Sequence, residues 1–119
     1  MNGDGKLDIV TTRTNWHQMG VYLNTTQAAT VSFAPKMIVD AHVDPRPEYA
    51  DFNGDGLVDV VSSGYNRDVL VYFNTSTEDM IVLEHALTIE AGGVEDPQYD
   101  YEWSTYAPRL ADIDGDGLL

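Results

Sequence analysis

Between residues 51 and 59 the chain reads Asp51-Phe52-Asn53-Gly54-Asp55-Gly56-Leu57-Val58-Asp59, placing oxygen-bearing side chains at the first, third, fifth and ninth positions. Asp51, Asn53, Asp55 and Asp59, with the backbone carbonyl of Leu57, offer the hard oxygen donors that a calcium ion gathers about six to eight at a time. Gly54 and Gly56 permit the positive φ or close approach that lets so short a segment turn round an ion. Carboxylates crowded into one turn repel one another unless a cation neutralises them. The spacing therefore predicts a divalent-metal loop, with calcium as its cofactor.

The pattern occurs three times. Asn2-Gly3-Asp4-Gly5-Lys6-Leu7-Asp8 matches it from the third position onward, and Asp112-Ile113-Asp114-Gly115-Asp116-Gly117-Leu118 matches it from the first. The first copy lacks an opening carboxylate and the third lacks the closing one. Corresponding positions Asn2, Asn53 and Asp114 lie 51 and 61 residues apart (53 − 2 and 114 − 53), a period in the range of propeller blades and other arrays. Three further segments recur in the same order: Asp8-Ile9-Val10-Thr11-Thr12 with Asp59-Val60-Val61-Ser62-Ser63, Val21-Tyr22-Leu23-Asn24-Thr25 with Val71-Tyr72-Phe73-Asn74-Thr75, and Pro47-Glu48-Tyr49-Ala50-Asp51 with Pro108-Arg109-Leu110-Ala111-Asp112.

Strands are the elements that must hold these loops. Short β-branched or alternating runs predict strands over 8–12, 19–24, 48–52, 58–63 and 68–74. A strand is also expected over 31–39, weakened by Pro35, which cannot donate to a ladder. Residues 80–90 alternate well enough to favour a strand over a helix, and 106–111 should lead into the last loop as 48–52 leads into the central one. The turn at Asp44-Pro45-Arg46-Pro47 excludes a helix there. An EF-hand is set aside because its loop needs a glutamate at position 12 and flanking helices, whereas position 12 here is Ser62 in a β-branched run. A dockerin-type module fails on the same absence of a following helix.

The 119 residues carry 20 acids against 6 bases, a formal charge of −14. That balance excludes the basic footprint needed for nucleic acid or an anionic membrane surface, and no apolar run reaches the ~20 residues of a spanning helix. A hydrophobic fraction of 43% places the chain among globular proteins. No cysteine is present, which excludes a disulfide framework and fits a fold held by metal or by repetition. No leader opens the sequence and both ends fall inside the loop motif, which reads as a segment of a longer repeat protein.

The run at 51–61, followed by Val69-Leu70-Val71-Tyr72-Phe73-Asn74, resembles the FG-GAP or VCBS repeat of integrin-alpha-like β-propellers, and the similarity extends over nearly the whole chain. The resemblance implies an all-β fold of four-stranded antiparallel blades, here a fragment of about two, with calcium bound in the hairpin between the first and second strands of each. On that expectation 1–46 is a partial blade, 47–105 a complete one, and 106–119 the first strand and loop of the next. The complete site would use Asp51, Asn53, Asp55, Leu57 and Asp59. Asn2, Asp4, Asp8 and the carbonyl of Lys6 would form a site missing its first ligand, and Asp112, Asp114, Asp116 and the carbonyl of Leu118 one missing its last. A closed propeller needs about 4–8 blades, so the segment would require further blades of a longer chain or self-association. Millimolar calcium outside the cell would keep even weak loops filled, so an extracellular, cell-surface or periplasmic setting is expected, with the assembled face serving adhesion or carbohydrate recognition and the scaffold of a sugar-processing enzyme such as a polysaccharide lyase as the alternative.

Remaining candidates are weaker. His17, His42 and His85 show no zinc spacing, and Glu95, Asp96, Asp100 and Glu102 read as a solvated acidic loop before they read as a general acid and base. No nucleophile elbow or phosphate cradle occurs. The aromatic segment with Tyr99, Tyr101 and Trp103 could stack sugar rings, though packing over a sheet edge explains it more simply. Trp16 carries the same ambiguity. Asn24-Thr25-Thr26 and Asn74-Thr75-Ser76 fit a glycosylation sequon but close strands in both repeats and are expected to be turns.

Overall fold

The computed structural model describes residues 1–13, 18–39, 41, 43, 46–64, 68–78, 80–90 and 108–115. Seven strands form among them, and no helix: β1 (Ile9–Arg13), β2 (Gln18–Tyr22), β3 (Met37–Val39), β4 (Glu48–Ala50), β5 (Asp59–Ser63), β6 (Val69–Asn74) and β7 (Leu83–Ile89). They build a three-stranded sheet in the order β1-β2-β3 and a four-stranded sheet in the order β4-β5-β6-β7. Every pairing is antiparallel and joins neighbours in sequence, the arrangement of propeller blades. A register shift between Val71 and Tyr72 marks a bulge in the β6–β7 ladder.

The second sheet follows the sequence pattern closely because its strands are short, β-branched and bounded by turn residues. Two expected strands differ. The run over 31–39 pairs as a strand only at Met37–Val39, with Phe33 reduced to an isolated bridge to Asn24; Pro35, between the two, has no N–H to give a ladder. Residues 108–111, expected as the strand before the last loop, form no ladder among the described residues. Arg109 instead makes an ion pair with Glu48 on β4.

The sheets share one core. Met19 and Val21 of β2, Leu23, Val39 of β3, Ala41 and Val43 pack with Val60 of β5, Tyr72 of β6 and Ile81. β5 is buried along its whole length, as a strand covered on both faces must be, whereas β7 is exposed beyond Leu83 and forms an outer edge. This layout carries the central loop on the β4–β5 connection and the first loop immediately before β1.

Candidate metal centre

The central loop is closed by its own first and last acids. Asp51 takes three backbone N–H groups, with Gly54 N at 2.8 Å and Asp55 N at 3.1 Å from Oδ1 and Gly56 N at 2.8 Å from Oδ2. Gly54 and Gly56 have φ of 76° and 86°, which aims those N–H groups inward. Asn53 Oδ1 then accepts from Asp55 N at 2.9 Å, and Asp55 Oδ1 from Leu57 N at 2.7 Å, two successive turns of the kind short oxygen-bearing side chains make with the backbone two residues on. Asn53 Nδ2 donates to Asp55 Oδ2 at 2.8 Å. Asp51, Asn53 and Asp55 are all solvent-exposed.

Asp59 differs from the other acids of the loop. It is fully buried, and its two oxygens join both ends of the local structure: Oδ2 accepts from Phe52 N at 2.9 Å and Oδ1 from Asn74 N at 2.8 Å. Asn74, also fully buried, donates through Nδ2 to Val58 O at 2.9 Å and to Met1 O at 2.8 Å, and accepts from Ser76 N at 3.0 Å. An aspartate at the end of the loop and an asparagine at the end of β6 therefore clasp the connection between them.

The first loop repeats this clasp. Asp8 Oδ1 accepts from Asn24 N at 2.8 Å, Asn24 Nδ2 donates to Leu7 O at 2.9 Å, and Asn24 Oδ1 accepts from Thr26 N at 2.9 Å. Met1 N occupies the place of Phe52 N, 2.6 Å from Asp8 Oδ2. Burial opposes ionisation of Asp8, but the terminal ammonium and the Asn24 backbone N–H outweigh it and hold the carboxyl below its ordinary value. Within the loop the bonds are looser: Asp4 N to Asn2 Oδ1 is 3.4 Å, while Lys6 N to Asp4 Oδ1 is 2.9 Å. Lys6 Nζ lies 3.9 Å from Asp4 Oδ2, a cation of the chain's own beside a candidate ligand. In the third loop Gly115 N reaches Asp112 Oδ1 at 2.6 Å, as Gly54 reaches Asp51; Asp114 is exposed, and Asp116 and Leu118 lie outside the described residues.

The loops of the two sheets touch. A Cβ on Gly3 would stand 2.9 Å from Leu57 Cδ2, and Asn2 Nδ2 approaches Glu78 O at 3.5 Å. Among the described residues no group of three or more His, Asp or Glu side chains is gathered into a ready cage. The central loop brings Asp51, Asn53 and Asp55 together through backbone N–H bonds, while Asp59 faces the clasp.

Of the other candidates, His85 packs edge-on against Tyr72, ring centroids 5.6 Å apart, and bonds Thr88 at 2.9 Å. Tyr99, Tyr101, Trp103, Glu95, Asp96, Asp100, Glu102, Trp16, His17 and His42 lie outside the described residues. The turns expected at Asn24 and Asn74 are present, and the amide of Asn74, held between two carbonyls in the core, is engaged there rather than offered to a glycan. The clasp role of these asparagines was not read from sequence, although their recurrence at the end of equivalent strands was its signal.

A family model described as an FG-GAP-like repeat matches residues 1–62 and again 51–119, overlapping on the central loop and β5. Each match runs from one loop to the next. Comparison with curated proteins and with solved structures gave no match.

Proposed function

The chain belongs to the FG-GAP-like repeat family, and from that premise we propose that it is a calcium-binding segment of a β-propeller in a secreted or surface protein. The ion is structural, and the assembled face serves adhesion or carbohydrate recognition. The reading is carried by the 51–59 loop, where an oxygen-only donor set sits on a backbone already curled by two positive-φ glycines. Each carboxylate oxygen has two lone pairs, so an oxygen that accepts one backbone N–H keeps a position for a hard cation. Asp51, Asn53 and Asp55 would hold calcium from the exposed side, with the Leu57 carbonyl, and Asp59 would link that site to the core through Asn74. A bound cation supplies charge neutralisation and no reaction chemistry. The first loop, with Lys6 beside Asp4, is the weaker site.

Calcium at extracellular, millimolar levels fills even weak oxygen sites, which fits a secreted or surface setting. Among the described residues no helix is long and apolar enough to cross a membrane.

Calorimetric titration of the chain with calcium, beside the Asp55→Ala variant and melting curves in calcium and in chelator, tests the metal. Binding in the parent, loss in the variant, and a stabilisation of about 2.7 kcal/mol at one hundred times Kd are expected. No heat in the parent, or equal affinity in Asp55→Ala, overturns the proposal. Glycan-array binding without turnover supports the recognition role, and product release from a polysaccharide overturns it in favour of an enzyme scaffold.

A further inference from the structure

A cleft of about 710 Å³ opens where the two units meet, walled by the first loop, by the chain on both sides of the β2–β3 connection, and by Glu78 of the second unit. The chain has two lysines, Lys6 and Lys36, and both line this cleft. In a chain with 20 acids against 6 bases, that placement makes the cleft a local exception to the acidic surface. We propose that it binds an acidic sugar, a uronate residue of a glycan, a reading that rests on carbohydrate recognition as the role of the assembled face and names the ligand class for it.

The two cations are available to a ligand. Lys6 stands where the other two loops carry Leu57 and Leu118. Its Nζ lies 3.9 Å from Asp4 Oδ2, beyond a direct hydrogen bond, so its donors remain open to a carboxylate. Lys36 is exposed and makes no ion pair among the described residues. It lies across Gly20, where a Cβ would stand 2.2 Å from its Cε, and its flexible stem lets the ammonium turn to a carboxylate in the cleft. The rest of the lining suits a sugar ring. Leu23, Pro35 and Met37 supply apolar surface for its C–H face, Asp4 and Glu78 accept protons from hydroxyls, and the Gln27 amide both donates and accepts. The same two acids oppose a phosphate or sulfate, whose oxygens all carry charge, and favour a ligand with one carboxylate among several hydroxyls. The volume is that of a small-molecule site, room for a sugar residue and part of its neighbour.

The test is titration of the isotope-labelled intact chain, followed by amide chemical shifts, with the methyl glycosides of glucuronic and galacturonic acid and of their neutral parents, glucose and galactose. At least one uronate should bind about tenfold or more tighter than its neutral parent, the factor that one charge-assisted hydrogen bond supplies, with shifts gathered at residues 23–27 and 34–37. Lys36→Met and Lys6→Leu replace exposed side chains and should leave the melting temperature unchanged while each reduces that preference; Lys36→Arg should retain it. Neutral sugars bound as tightly as uronates, a preference that survives in both lysine variants, or shifts confined to other segments would overturn the acidic-sugar assignment and leave carbohydrate recognition standing. No binding of any of the four probes also overturns the assignment, and only a glycan array blank for neutral and acidic glycans alike would take the recognition role with it.

Discussion

A carboxylate with no solvent exposure is stable only when its oxygens exchange water for donors, and Asp59 does so by accepting one backbone N–H from Phe52, at the start of the loop it closes, and one from Asn74, at the end of β6. Type and spacing alone marked Asp59 as a metal ligand. Its tie to Asn74 was hidden, because it depends on the chain returning 15 residues later. The asparagine partner makes the sharper test. Asn74→Ala removes two donor bonds and one acceptor bond inside the core and leaves the Val58 and Met1 carbonyls unmatched, so it should cost about 2–4 kcal/mol. Asn24→Ala, at a half-buried site with a single amide donor bond to Leu7 O, should cost about half as much. Urea unfolding with a common m-value checks both; equal losses would show that the bridge to Met1 contributes nothing.

At the scale of elements, the turns and the strands of the second sheet were legible because their signals are local: glycine where φ is positive, β-branched residues where the chain extends. The shortened β3 was less legible. Pro35 announced a break, but only the pairing of Met37 with Val21 and of Val39 with Met19 shows where the strand resumes. The glycine signal can be isolated cleanly, since a Cβ on Gly54 or Gly56 would meet nothing within 4 Å. Gly54→Ala and Gly56→Ala should therefore each destabilise by about 1–2 kcal/mol through backbone strain alone. Gly3→Ala should cost about the same, because the atom its Cβ would meet at 2.9 Å, Leu57 Cδ2, is the end of a flexible side chain that can move aside. Thermal melts of the three variants check this, and a Gly3 variant much worse than the other two would show that Leu57 is fixed against the first loop and cannot yield.

For the whole molecule, the repeat was visible in sequence as three loops at similar intervals, but the sharing of one core by two sheets was not. Hydrophobic alternation says which face of a strand is apolar and leaves open which neighbour covers it. Repeat proteins of this kind draw their stability from each unit and from the interface between units. Here β2 lends Met19 and Val21 to a cluster completed by Val60, Tyr72 and Ile81 of the second unit. Met19 is fully buried, and truncating it to alanine should cost about 2–5 kcal/mol. The location of that loss is the informative measurement. If the interface couples the units, native-state hydrogen exchange in Met19→Ala should show β5 and β6 amides losing protection together with those of β1 and β2, by similar free energies. Were the loss confined to the first sheet, the two units would be folding separately, and the clasp of each loop, rather than the shared core, would be the main source of order in the second.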